Sequence, residues 1–127
     1  MGNLQLVSIE IGPGEAVDRM CILALKTTRL DGDKRGRALA DYGLLLERVS
    51  VKWRNHATAT ELMDVNEQLW ELEDAVRSKL RAREQDREFA AIAARIPQLN
   101  DKRAALKAEL DKAFGFAPCE VKHYVGG

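Results

Sequence analysis

Three features of the sequence predict a mainly all-α fold: an antiparallel bundle of three to four helices with long a/d seams and a short extended segment at each terminus. Apolar residues recur at alternating spacings of three and four along much of the chain, the period of a packed helix. Nine Gly and three Pro among 127 residues leave long stretches without a helix breaker. Apolar residues at 46% and charged residues at 31% are the mixture of an ordinary folded domain, not of a disordered or collagenous chain. A single helical domain over residues 1–127 is expected, large enough to bury roughly two thirds of its unfolded surface.

The extended segments come from alternation. Leu4, Leu6, Ile9 and Ile11 precede Gly12-Pro13-Gly14, so 4–11 reads as a short strand ending in a turn. After Pro118, Val121, His123 and Val125 alternate with Lys122 and Tyr124, so 118–125 reads as an extended tail. A lone strand leaves its backbone groups unpaired, so the two are expected to pair with each other or across a subunit interface.

The first helix is expected at about 15–30, stopped by Asp31-Gly32-Asp33. The second, at about 34–54, carries the seam Leu39, Tyr42, Leu46, Val49 and Trp53, which Gly43 weakens by about 1 kcal/mol relative to Ala. Thr58 followed by Glu61 forms a capping-box pattern for a third helix at about 60–83, with the seam Leu62, Val65, Leu69, Leu72 and Val76. Glu61 to Asp74 holds six acids and no base, and Arg77 to Arg83 four bases and no acid, the order that a helix dipole favours. A fourth helix at about 86–114, capped by Asp86, lines up Phe89, Ile92, Ile96, Leu99, Leu106, Leu110 and Phe114. Pro97 should kink or split it. The absence of Gly and Pro from Glu61 to Ile96 leaves one continuous helix there as the competing reading.

Composition also limits function. Twenty Lys and Arg balance twenty Asp and Glu, so no basic excess points to nucleic acid or anionic lipid. The longest apolar run, Met20 to Leu25, is far below the roughly 20 residues that span a bilayer, and no signal peptide is visible after Met1. Cys21 and Cys119 lack CxxC spacing, and His56 and His123 lack metal-binding spacing, so no metal or cofactor is expected. A reducing, cytoplasmic location is the expectation. No phosphate-cradling glycine motif and no nucleophile elbow occur, which favours a non-enzymatic protein. Long seams suit a homo-oligomer, most simply a dimer, or another protein partner.

Polar residues that break the helical pattern mark the candidate site. On the first helix Glu15, Asp18, Arg19, Lys26 and Arg29 share one arc, either a solvated face or, through Asp18, Lys26 and Arg29, the wall of a polar pocket. On the third, Asn66, Trp70, Glu73 and Arg77 run beside the seam, and burial of Trp70 would desolvate its neighbours. On the fourth, Arg103 sits inside the arc of Leu99, Leu106 and Leu110, with Asn100 and Lys107 at its edge. Arg103 is thus either one half of a buried ion pair, with Glu73 or Asp74 as partner, a snorkelling side chain, or part of a small-anion site with Lys107, Arg77 and Lys26.

A set of these residues resembles a family of short bacterial helical proteins known as a domain of unknown function. The set comprises Gly14-Glu15, Asp18, Ile22-Leu23, Lys26 and Arg29; Asn66, Leu69-Trp70, Glu73-Asp74 and Arg77; Asn100-Asp101, Arg103-Ala104 and Lys107; and Glu120, Lys122 and Tyr124. The resemblance implies a helical protein whose gene often neighbours genes for carbohydrate transfer at the cell envelope, and it implies no activity. The chain departs from that pattern at Pro97 and at 84–88, where a glycine-bearing turn would be expected.

Three functions therefore compete. The first is an interaction or self-association module with an internal polar network. The second is a small-anion binder or enzyme with Arg103, Lys107 and Arg77 as clamps and Glu73 for orientation or proton transfer, by analogy with helical chorismate mutases. The third is a structural component of a larger assembly.

Overall fold

A computed structural model describes residues 5–117 and is all-helical over them, with five helices packed against one another. They are α1 (Pro13–Arg29), α2 (Gly32–Arg48), α3 (Val51–Arg54), α4 (Ala57–Arg81) and α5 (Arg87–Ala113). Helix α1 is central: it packs on α2, α3, α4 and α5, while α4 and α5 share the most extensive interface.

Each boundary has a local cause. Pro13 occupies the first turn of α1, where its missing N–H costs nothing and its fixed φ suits a helix. The chain leaves α1 at Leu30, in extended conformation, and re-enters a helix within two residues. The single second helix expected over 34–54 is instead broken, because Val49 is extended (φ −83, ψ 128) and Ser50 starts a new turn. The Ser50 hydroxyl accepts the Lys52 N–H at 3.2 Å, a local bond that competes with helix continuation. The break turns Val49 into the core and sets Trp53 against Phe114, ring centroids 6.2 Å apart.

Helix α4 begins before the expected capping box. His56 is its cap, with Nδ1 accepting the Thr58 N–H at 3.1 Å, and Thr58 lies inside the first turn with its hydroxyl 3.4 Å from Glu109. The competing reading of one helix through Glu61 to Ile96 fails at Arg83, which has a left-handed φ of 60. There the Arg83 N–H donates to the Leu80 carbonyl and the Glu84 N–H to the Lys79 carbonyl, closing α4 in a Schellman motif. Asp86 caps α5 by accepting the Phe89 N–H at 2.8 Å. Pro97 does not split α5, which is continuous to Ala113. The ring sits on an exposed face, where packing of the flanking residues on α4 carries the helix past the missing backbone bond. Helix α5 closes with the same motif as α4, this time with Gly115 in the left-handed position and the Phe116 N–H donating to the Asp111 carbonyl.

The expected strand at 4–11 is absent from the part that the structure describes: residues 5–11 form no regular element. Leu6 and Val7 are 88% and 86% exposed, and only Ile11 packs on the core. Alternation alone cannot make a strand without a neighbour to take its backbone hydrogen bonds. The expected tail at 118–125 lies outside the described residues.

The core joins Ala16, Val17, Met20 and Cys21 of α1 to Leu62, Val65 and Leu69 of α4 and to Leu106 and Leu110 of α5, with Val49 closing one side. Every buried residue of α4 falls between Thr58 and Leu69, and those of α5 are Leu106 and Leu110. At 1.5 Å per residue, the 25 residues of α4 span about 37 Å and the 17 of α1 about 25 Å. The α4–α5 pair therefore extends beyond α1 as a two-helix arm. Among the described residues, no helix is long and apolar enough to cross a membrane.

Candidate functional site

The polar site lies where α1 crosses α4 and α5. Gly14 lets α1 approach α5 closely, since a Cβ there would run into the Lys107 carbonyl. The Gly14 N–H, free at the first turn of α1, donates to Asp111 at 2.8 Å. This contact sets the crossing one turn ahead of Asp18, the most buried charged side chain described, at 1% exposure.

Asp18 is held from two sides. From α4, Asn66 Nδ2 donates to Oδ1 at 2.9 Å. From α5, Arg103 forks onto the carboxylate, Nε to Oδ1 at 2.9 Å and Nη2 to Oδ2 at 2.6 Å. Lys107, one turn further along α5, stands 3.7 Å from Asp18 Oδ2 and pairs with Glu15 Oε2 at 2.7 Å. Glu15 also accepts from Arg19 at 3.0 Å. Acids three residues apart on α1 thus face bases four residues apart on α5, two spacings that each put a pair on one helix face.

The electrostatics follow from this geometry. Burial pushes the Asp18 carboxyl upward, but hydrogen bonds from Arg103 and Asn66 and the charges of Arg103 and Lys107 outweigh it and hold the group below the ordinary carboxylate range. The hydrogen bond from Lys107 lowers Glu15 against its own partial desolvation. The bond to Asp18 raises Arg103 further, keeping it charged. Cys21, one turn along α1 from Asp18, is pushed up to about 12 by burial and by the Asp18 charge, which favours the neutral thiol. A carboxylate so coordinated is a poor proton acceptor.

Four of the nine residues singled out in the sequence come together here: Asp18, Asn66, Arg103 and Lys107. The other five do not join the cluster. Lys26 lines the groove between α1 and α2, beside Asp33, Lys34 and Asp41. Arg29 pairs with Glu71 across α1 and α4. Arg77 pairs with Asp74 on its own helix at 2.6 Å, where both are more than half exposed. Glu73 and Asn100 are exposed, Glu73 contributing only a distant field at Arg103. The partner of Arg103 is therefore Asp18 and not Glu73 or Asp74: both Asp18 carboxylate oxygens take its guanidinium, while Glu73 is exposed and Asp74 pairs with Arg77. Sequence reasoning missed the roles of Glu15 and Asp111; the signal for Glu15 was its spacing of three from Asp18, matching Arg103 and Lys107.

Among the described residues no group of three His, Cys, Asp or Glu side chains could hold a metal ion. Fold and site together define an all-helical protein whose central helix carries a buried, internally paired carboxylate. No family model matches the chain, and no curated protein or solved structure matches it either. The resemblance drawn from the sequence rests on the residues quoted for it alone.

Proposed function

We propose that the chain is a non-enzymatic helical module that self-associates, with the Asp18 network fixing the register of its helices. In this reading α1, α4 and α5 form an antiparallel bundle flanked by α2, and the partner is a second copy of the same chain. The observation that carries it is the arm. Past Leu69 on α4 and before Leu106 on α5 no residue is buried, yet Leu72, Val76, Phe89, Ile92 and Ile96 continue the seams as half-covered side chains. Leu80, near the tip, is 46% exposed. Two helices cannot cover an apolar seam that a four-helix arrangement would close. Two arms related by a twofold axis would supply that arrangement, and Glu73 would face the bases Arg81 and Arg83 of the other copy.

The alternative, a small-anion pocket built on Arg103, Lys107 and Arg77, has less support. Arg103 and Lys107 already face carboxylates of their own chain, and Arg77 turns away to Asp74. The test is sedimentation equilibrium over a wide concentration range. A concentration-dependent dimer is expected, and Leu80→Glu should weaken it at least about tenfold while leaving helical circular dichroism intact. A monomer at every concentration, or a dimer indifferent to Leu80→Glu, would overturn the reading.

A further inference from the structure

A second site lies away from the arm and borders the Asp18 network through Val17 and Cys21 of α1. Where α3 meets α1 and α4, a cleft of about 320 Å³ opens between Val17, Met20, Ala24, Tyr42 and Met63, with Arg54 on its wall. Arg54 ends α3, and its position is set by the Ser50 turn, where the Arg54 N–H donates to the Ser50 carbonyl at 3.2 Å. Its side chain is anomalous: the Nε atom is buried and has no hydrogen-bond partner. Among the described residues no carboxylate pairs with its guanidinium, although the chain spends acids freely on Arg19, Arg29, Arg77 and Arg103. Buried donors normally find acceptors, and those that do not call for an explanation.

The clefts between α1 and α2 both carry an acid in their lining: one sets Lys26, Lys34 and Arg37 beside Asp33 and Asp41, the other Arg19 and Lys26 beside Asp41. In the α3 cleft Arg54 is the only charged side chain of the lining, and nearly everything around it is apolar or aromatic. Its volume falls at the small end of the range for ligand sites, which are typically apolar concavities with a few placed polar groups. Cys21 adds a neutral thiol to the wall.

We infer that this cleft binds a small monocarboxylate with an apolar or aromatic body, its carboxylate on the Arg54 guanidinium and its body between Met20, Met63 and Tyr42. A guanidinium presents a planar fork that matches a carboxylate. A single cation in an apolar surround matches one negative charge; a phosphate dianion would leave the second uncompensated. Two thioethers supply a wall that adapts to the shape of the body.

The test uses the full chain with methionine methyls labelled in carbon-13, titrated with 3-phenylpropanoate, with its amide 3-phenylpropanamide, and with inorganic phosphate. Saturable shifts of the Met20 and Met63 methyls with 3-phenylpropanoate are expected, with the amide and phosphate at least about tenfold weaker. Arg54→Gln should weaken the carboxylate at least about tenfold and erase its advantage over the amide. Thr60→Trp, at an exposed lining position on α4, fills the cleft without entering the core and should abolish the shifts while the thermal transition is kept. It decides the matter if Arg54→Gln fails to fold. Absence of saturation at millimolar probe, an amide that binds as well as the acid, or binding that survives Thr60→Trp would each overturn the inference. Because the arm is remote from Arg54, failure here leaves the self-association reading standing.

Discussion

Asp18 concentrates the energetics of the molecule in one side chain. Its charge is buried and met by Asn66 and Arg103, so removing Arg103 strands it. Arg103→Ala is expected to cost about 3 kcal/mol, read as a lower urea midpoint at constant slope. Asp18→Leu combined with Arg103→Met should recover most of that loss, since an apolar pair of similar volume avoids the desolvation of both ions. The pH dependence has a definite sign. Asp18 and Glu15 both titrate lower in the folded chain than in the unfolded one, so their stabilisation is fully present above the ordinary carboxylate range and is lost as pH falls through their folded values. Urea midpoints should therefore fall below about pH 4, and Arg103→Ala should flatten that acid slope. The sequence marks Arg103 because a charge inside an apolar arc violates the helical pattern. It does not show where Arg103 reaches, because the wheel of α1 treats Asp18 as one residue of a wet arc. That wheel assumes a single packed face, whereas α1 is covered by α2 on one side and by α4 and α5 on the other.

At the scale of elements, the C-terminal ends of α4 and α5 offer an internal comparison. Helices α4 and α5 finish in the same Schellman geometry, but Gly115 holds the left-handed position in one and Arg83 in the other. A side chain with a Cβ pays roughly 1 kcal/mol for that conformation, which glycine adopts freely. Arg83→Gly is accordingly expected to stabilise the chain by up to about 0.5 kcal/mol, since Arg83 makes no ion pair among the described residues and the gain from relieved strain exceeds the added entropy of the unfolded glycine. A thermal scan showing a higher transition for the variant checks this; an unchanged or lower one contradicts it. The seams that define α4 and α5 are legible because period is summed over many residues. The break between α2 and α3 is not, because it depends on one hydroxyl at Ser50 competing with a backbone bond, a choice that no periodicity records. The residues from 5 to 11 fail for the opposite reason: their alternation is genuine, but a strand requires a neighbour, and none pairs with them among the described residues.

Across the whole molecule, burial is graded, and the gradient should be visible as local stability. Helix α1 with the inner halves of α4 and α5 holds most of the core and the Asp18 network, so its amides should open only with global unfolding. Helix α2 rests mainly on α1, buries only Ala38 within its span, and carries Gly36 and Gly43, each with open space around it. It should open locally at a free energy below the global value, giving at least about tenfold less protection in native-state hydrogen exchange. The arm beyond Leu69 has no buried residue and should be the least protected region in dilute solution. Self-association, as proposed, would change that ranking, because a second copy would cover Leu72, Val76, Leu80, Phe89 and Ile92. Raising the protein concentration should therefore raise protection in the arm selectively, leave α2 unaltered, and lose that response in Leu80→Glu. Protection that rises uniformly along the chain, or not at all, would mean that the arm is stable alone and that its exposed seam has another cause.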